Sequence, residues 1–328
     1  MTSMDMPLSS LQHAASLDGL LASAGDLLAS RQRTLRGEAQ CSGVGLHTGE
    51  DVTMRLLPAA ADTGVVFVRT DLKNGARSIK ARWDHVVDTQ LCTVIGNDHG
   101  GRVATIEHLM AAVRAAEIDN IIIEIDGPEV PAMDGSSDAF VFLIDMVGVQ
   151  EQNALRREIE VLKPVEVNHE GKRAAIMPAP DSRFSVDISF ETELIKMQRY
   201  DFTLSHKGFK NEISRARTFG FFEDVEKMTK LGFMRGGSLD NAIVIKDEKI
   251  MNGEGLRFDN EFVRHKLLDA IGDMALGGVP IRGHFIGSRT GHSMNNELLC
   301  ALFADETAWR EIDTQAKQCC EPALLAAS

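Results

Sequence analysis

Four polar side chains lie together in the segment RHKLLDAIGDM, residues 264 to 274. At about 100° per residue, its apolar side chains occupy one side of a helix, and His265, Lys266, Asp269 and Asp273 occupy the other. A solvent-exposed helix face is the simplest interpretation of such a pattern. The spacing of His265 and Asp269 permits a second one, because helical side chains four residues apart lie about 5 to 6 Å from each other and can bind one metal ion.

A metal site needs a third ligand, and His108 is the strongest candidate among the ten histidines. It follows Glu107 in VATIEHLMAAVRAAE, the other stretch with a clear amphipathic helical pattern. Three nitrogen and oxygen ligands with an open fourth position are typical of catalytic zinc, whereas structural zinc sites usually close the shell, often with cysteine. The set therefore indicates hydrolysis, with Glu107 as the base that accepts a proton from the attacking water. An isolated Glu-His step alone would indicate only a helix-surface pair.

His292 is the candidate proton donor. It lies in GHFIGSRTGHSMNNEL, between a strand-like and a helix-like stretch, where loops often present catalytic side chains. A protonated histidine can donate a proton to a leaving amine, and Asp273 is placed to keep it protonated. A surface-loop histidine is the alternative. The zinc-protease signature is absent, because the only His-Glu step, HEGKR at residues 169 to 173, lacks the second histidine.

The elements that must position these residues occur in the same order in two halves of the chain. Strand-like runs such as DVTMRLL and GVVFVRT precede helical patterns in the first half, and strands again precede helices after the polar segment QEQNALRREIEVLK. Each half also has a histidine early on an amphipathic helix. We therefore predict an α+β fold of two similar domains. The predicted limits are an N-terminal extension over 1–33, domains over 34–152 and 153–305, and a C-terminal tail over 306–328.

Composition restricts the classes of protein. The 328 residues carry 35 Lys and Arg against 48 Asp and Glu, a net charge of −13, so a surface that follows nucleic-acid phosphates is not expected. The five cysteines form no C-x-x-C pair, which favours a reducing cytosol. No basic signal region or membrane-length apolar run is seen. Two glycine-rich segments, SGVGLHTGE and MDGSS, are compatible with phosphate loops, but their spacing favours turns.

Taken together, these segments resemble the UDP-3-O-acyl-N-acetylglucosamine deacetylases of lipid A biosynthesis in Gram-negative bacteria. The resemblance extends over about residues 34 to 304 and does not include the first 33 residues. It rests on SGVGLHTGE, TIEHLMAA, EIDGPEVPAMDGSS, SRARTFGF, GGSLDNAIV, FVRHKLLDAIGD and RTGHSMNNEL, in that order.

The resemblance implies a role for each matched residue. His108, His265 and Asp269 would hold one catalytic Zn²⁺. Glu107 would be the general base, and His292 the proton donor. Asp273 would support His292, and the Thr218 hydroxyl would bind the oxyanion.

The other implied residues would contact the substrate. Lys266 and Phe219 would contact its sugar-nucleotide part, and further contacts would come from His47, Cys92 and Met133. The acyl passage would be lined by Phe219, Val225, Met234, Gly237, Ala242 and Val244.

The family resemblance also implies an architecture and a setting. Each domain would be a mainly antiparallel sheet with two helices, and the helices would pack between the two outer sheets. An insert in the second domain, FGFFEDVEKMTKLGFMRGGSLDNAIVI, would form the acyl passage. The implied enzyme is a cytoplasmic monomer that acts on a lipid-linked UDP-sugar, with peripheral contact to the inner membrane and no nucleic-acid partner.

Two alternatives come from other classes. A two-domain α+β chain with glycine-rich turns also suits a non-catalytic nucleotide- or RNA-binding protein, although the acidic charge argues against RNA. A cysteine or serine hydrolase would instead use Cys92 or a serine of the GSS step. Salt-sensitive binding to RNA would indicate the first alternative, and activity that survives chelation would indicate the second.

Overall fold

A five-stranded sheet and a seven-stranded sheet that contains the same five-strand order frame the molecule in the computed structural model, which describes residues 31–313. Most of the predicted extension over 1–33 and part of the predicted tail over 306–328 lie outside the described residues. The strands are β1 (Arg31–Leu35), β2 (Ala39–Val44), β3 (Asp51–Pro58), β4 (Val65–Arg69), β5 (Ser78–Lys80), β6 (Val86–Asp88), β7 (Val94–Gly96), β8 (Arg102–Val103), β9 (Ile121–Ile125), β10 (Val149–Leu155), β11 (Arg157–Val161), β12 (Val165–His169), β13 (Lys172–Met177), β14 (Ser182–Ser189), β15 (Met197–Thr203), β16 (Phe219–Phe221), β17 (Ile243–Lys246), β18 (Lys249–Ile250), β19 (Ile281–Ser288) and β20 (Trp309–Asp313). The helices are α1 (Glu107–Ala115), α2 (Asp138–Val147), α3 (His206–Gly208), α4 (Phe222–Lys230), α5 (Glu261–Met274) and α6 (His292–Ala304).

The two sheets repeat one topology. The first sheet has the order β2-β3-β9-β4-β5, and the second contains the matching order β12-β13-β19-β14-β15. Within this shared order, the central strand, β9 or β19, is parallel to one neighbour and antiparallel to the other. β19 is also parallel to β11, which extends the second sheet to β20. In each half a three-stranded insert, β6-β7-β8 or β16-β17-β18, precedes the helix that leads into the central strand, and another helix follows that strand. The predicted fold of two similar α+β halves is therefore confirmed.

The helices lie between the sheets, as predicted. α1 and α5 pack against each other, α5 also packs on β14, α6 packs on β12 and β13, and α2 contacts β2. Their residues belong to one continuous apolar core that joins both halves. The simplest interpretation of RHKLLDAIGDM, a solvent-exposed polar face, is wrong, because His265, Asp269 and Asp273 are 1%, 4% and 2% exposed. Both sides of α5 are covered, one by the apolar core and the other by α1 and α6.

Four polar strands lie where the sequence suggested an extension, a boundary and a tail. β1 pairs with β10, and β20 pairs with β11. β1 thus includes residues 31–33, and β10 and β11 together cover most of the polar boundary segment. β1 is held largely by buried polar groups: the Gln32 amide donates to Asp62 and to the Leu155 carbonyl, and the Thr34 hydroxyl accepts from the Ala59 amide. Hydrophobic periodicity does not detect a strand of this kind. The limits of the two domains stay a prediction.

Candidate metal centre

Three buried side chains from α1 and α5 converge on one point. His108 lies at the beginning of α1, and His265 and Asp269 lie one helical turn apart on α5. The Asp269 Oδ1 atom is 3.5 Å from His108 Nε2 and 3.3 Å from His265 Nε2. All three potential ligand atoms lie within 4.8 Å of one another. We call His108, His265 and Asp269 the ligand group.

The ligand group fits a tetrahedral metal ion. Metal–ligand bonds of about 2.0 to 2.1 Å give ligand–ligand edges of about 3.3 to 3.4 Å, close to the two distances measured from Asp269 Oδ1. Asp269 Oδ1 is buried and receives no hydrogen bond within the described residues. A buried carboxylate oxygen without a donor is costly, so this atom calls for a cation.

The protonation states also suit metal binding. The His265 Nδ1 atom lies 3.0 Å from the Ala216 carbonyl, so Nδ1 carries the proton that it donates there and Nε2 keeps its lone pair. Burial lowers the pKa of His265 to about 4, which keeps the ring neutral. Burial alone would raise the pKa of Asp269, but the charge of the Lys266 ammonium, 2.6 Å away, opposes burial, and the pKa lies well below the ordinary value.

An acid and a base flank the ligand group. His292 is the first residue of α6, and its Nε2 lies 3.7 Å from Glu107 Oε1. Its Nδ1 lies 2.9 Å from Asp273 Oδ2, which also accepts from the Asn295 amide. The other Asp273 oxygen accepts from the Thr93 hydroxyl at 2.6 Å. We call Glu107 and His292 the acid–base pair.

Opposing environments set the pKa values of the acid–base pair. Burial alone would lower the pKa of His292, but the carboxylates of Asp273 and Glu107 outweigh it and raise the pKa to about 9. His292 is therefore protonated at neutral pH, although it lies at the positive end of a helix. Burial raises the pKa of Glu107, while His292 and His108 oppose that rise. Titratable groups whose pKa values are shifted by their environment in this way are typical of catalytic sites.

The segment SRARTFGF forms one wall of the centre. The Ala216 carbonyl accepts from His265, and the Phe219 ring lies 6.4 Å from the His265 ring. Between them, the Thr218 amide donates to the Gly135 carbonyl, so its backbone position is fixed. The buried Arg217 guanidinium anchors the segment by binding the fully buried Glu261 carboxylate at 2.8 Å.

The glycine-rich segment SGVGLHTGE is a turn around a buried carboxylate. The amides of His47 and Thr48 donate to the Glu129 carboxylate at 2.9 Å each. The Thr48 and Thr105 hydroxyls donate to the same group. The loop thus binds an anion, but the anion is Glu129 of the chain itself, which agrees with the preference for a turn over a phosphate loop.

His47 and Cys92 share a cavity, and Met133 does not line it. The cavity has a volume of about 340 Å³, and Phe233 also lines it. Burial raises the pKa of Cys92, and the negative charge of Glu107 raises it further. The thiol is therefore protonated at neutral pH and is a poor nucleophile. Met133 lines a separate cavity of about 670 Å³ with Phe142.

The other predicted substrate contacts lie at varied distances from the ligand group. Lys266 forms an ion pair with Asp269, with Nζ 2.6 Å from Oδ2. In the second insert, Val225 is on α4, Met234 and Gly237 are in the following loop, and Ala242 and Val244 lie at β17. Gly237 is exposed, and the other four are half-buried. An acyl passage stays a prediction.

Sequence reasoning missed the residues that support the site. Glu129, the Arg217–Glu261 pair and Thr93 are all buried polar groups. Each is hydrogen-bonded across a long sequence separation. A local pattern cannot identify such partners, because only the fold brings them together.

A buried His-His-Asp ligand group beside an acid–base pair is the arrangement of a metal-dependent hydrolase. The family model "LpxC: UDP-3-O-acyl N-acetylglycosamine deacetylase" matches residues 32–304, so the chain belongs to this family. It is 49% identical over 281 residues to the UDP-3-O-acyl-N-acetylglucosamine deacetylase of Vibrio vulnificus strain YJ016, covering 85% of this chain and 92% of the relative. The proteins of the same name from Myxococcus xanthus strain DK1622 and Phenylobacterium zucineum strain HLK1 are each 47% identical, covering 88% and 85% of this chain and 91% and 95% of the relatives.

Proposed function

We propose that this chain is a zinc-dependent deacetylase that hydrolyses the N-acetyl group of UDP-3-O-(3-hydroxyacyl)-N-acetylglucosamine. The products are acetate and UDP-3-O-acyl-glucosamine, and the reaction is the committed step of lipid A biosynthesis. The observation that carries the proposal is the buried ligand group beside the acid–base pair, in a chain that matches the deacetylase family over residues 32–304.

His108, His265 and Asp269 are proposed to hold one Zn²⁺. Two imidazoles and a carboxylate without thiolate are a catalytic zinc ligand set, and three ligands leave a position open for the reaction. The ion would polarise the acetyl carbonyl and lower the pKa of the attacking water. The unpartnered Oδ1 of Asp269 and the tautomer of His265 support this assignment.

The acid–base pair would move the protons. Glu107 accepts a proton from the attacking water, since its carboxylate is buried next to the ligand group and is not part of it. His292 is protonated at neutral pH and donates from Nε2 to the departing 2-amino nitrogen. Asp273 holds Nδ1 of that ring, so it orients His292 and stabilises its charge.

The remaining residues are proposed to bind the substrate. Thr218 would donate from its hydroxyl to the oxyanion, since its neighbours Ala216 and Phe219 both contact His265. Lys266, beside Asp269, would reach the sugar-nucleotide. The half-buried aromatic and aliphatic residues of the second insert would line the acyl passage, and the cavity of His47 and Cys92 would receive part of the substrate.

The proposed setting is a cytoplasmic monomer that contacts the inner membrane only at its surface. Within residues 31–313, no helix has both the length and the hydropathy needed to cross a bilayer. Leu231 and Phe233 in the second insert are 69% and 40% exposed. Exposed apolar side chains suit peripheral contact with the inner membrane, into which the acyl chain of the substrate would insert.

The experiment that tests the function is a deacetylation assay in which the metal is removed and then restored. Purified protein is incubated with the UDP-linked N-acetyl substrate, and acetate release is followed with and without a chelator. Release that stops on chelation and returns with added zinc supports the proposal. Turnover that survives complete metal removal would exclude a metal hydrolase.

The protonated state of His292 gives a pH prediction. Because its pKa is raised to about 9, kcat/KM is expected to fall as the pH rises through that value and the donor loses its proton. Asp273 and Glu107 are the carboxylates that face the ring. Replacing Asp273 by asparagine removes a charge that raises this pKa, so the alkaline limb of the profile should move to lower pH. A limb that stays in place in Asp273→Asn would show that another group donates the proton.

A further inference from the structure

Gly272 lies inside α5, three residues after Asp269. Glycine is the least favourable residue after proline in a helix interior, so its presence there calls for a packing reason. A Cβ at position 272 would lie 2.0 Å from the carbonyl oxygen of Glu107 and 3.0 Å from its Cα. These are backbone atoms, which cannot rotate away. α1 and α5 can therefore approach this closely only because position 272 has no side chain.

This close approach lies within the metal centre. Glu107 directly precedes His108 on α1, and Gly272 is less than one turn from Asp269 on α5. The 3.5 Å distance between His108 Nε2 and Asp269 Oδ1 joins the same two helices. Since α1 supplies one ligand and α5 supplies two, the separation of the helices determines how far the His108 ligand atom lies from the other two ligand atoms.

We propose that Gly272 is a positioning residue that sets the spacing of α1 and α5 and thereby fits the ligand group to a small divalent ion. A side chain at 272 would move His108 away from the pair on α5. This lengthens the two edges of the ligand group that His108 forms, with His265 and with Asp269, and leaves the 3.3 Å edge within α5 unchanged. The widened group would suit a larger ion better than zinc. The inference rests on the proposed ligand set.

The test compares the affinities of two ions in Gly272→Ala. Apo protein is titrated with Zn²⁺ and with the larger Cd²⁺ in competition with a chromogenic chelator, and the melting temperature is recorded for each form. We expect zinc affinity to fall by about 10- to 100-fold, the range found when the support of a metal ligand is removed. Cadmium affinity should fall less, so the ratio of cadmium to zinc affinity rises.

The matched control is Gly253→Ala. A Cβ at position 253 would meet no heavy atom within 4 Å, and the φ of Gly253 lies outside the left-handed region. Both affinities should match those of the wild type. This control separates the effect of the contact with Glu107 from that of an added methyl group.

Each outcome decides the inference. Unchanged zinc affinity in Gly272→Ala, or an equal loss for both ions, would overturn it. A variant that does not fold with either ion would also overturn it, because Gly272 would then be needed for the whole fold rather than for the ligand spacing. Wild-type protein that binds no zinc would instead refute the ligand set, and with it the proposed function.

Discussion

Glu107→Gln is expected to lower kcat by about 10²- to 10⁴-fold, the usual contribution of a general base, with metal content unchanged. Glu107 is 3% exposed, and its Oε2 accepts from the Thr93 amide, so the carboxylate is held beside the ligand group without belonging to it. Glutamine keeps the size and one acceptor oxygen but cannot take a proton. Initial rates with saturating substrate and metal analysis of the same sample measure the two effects.

The control is Glu117→Gln, the same substitution just after the end of α1. The Glu117 side chain is 45% exposed and forms ion pairs with Arg33 and Arg156. Glu117 lies outside the ligand group and its carboxylate is not buried, so turnover should stay near the wild-type value. A wild-type rate in Glu107→Gln would show that the base is elsewhere, and loss of the metal would show that Glu107 is a ligand.

His265→Ala is expected to lose the metal and, with it, nearly all activity. The wild type should hold about one zinc ion per chain, because the three ligands form a single site. Removing His265 leaves His108 and Asp269 from different helices, with the Lys266 ammonium 2.6 Å from Asp269 to compete for the carboxylate. Metal content after dialysis, measured by atomic emission, gives the result directly.

His169→Ala is the matched control for this loss. His169 is 58% exposed, is paired with Glu297 and lies on β12 outside the ligand group. Its removal should leave about one zinc per chain, as in the wild type. Full metal retention in His265→Ala would contradict the ligand assignment.

The convergence of the ligand group could be predicted because its three residues lie on helices with a regular period. His265 and Asp269 are one turn apart in the sequence and in the structure, and His108 occupies the other strongly patterned helix. Equivalent helices precede the central strands of the two sheets, which accounts for the similar histidine positions noted in the two halves. The topology thus gives a physical basis to a sequence similarity that was weak in itself.

The environment of α5 and the supporting contacts could not be predicted. Periodicity places His265 and Asp273 on one face but says nothing about what covers that face, and both are buried. The His265 tautomer depends on the Ala216 carbonyl, 49 residues away in the chain. Strand β1 was missed because buried Gln32 and Thr34 hold it by hydrogen bonds. Such long-range polar contacts leave no local pattern.

Anomalous diffraction at the zinc absorption edge, from crystals of the zinc-loaded protein, locates the ion itself. We expect one strong peak about 2.0 to 2.2 Å from His108 Nε2, His265 Nε2 and the Asp269 carboxylate, the bond lengths of catalytic zinc. Glu107 and His292 should not coordinate the ion. A peak coordinated by other residues, or no peak at the ligand group, would contradict the proposed metal site.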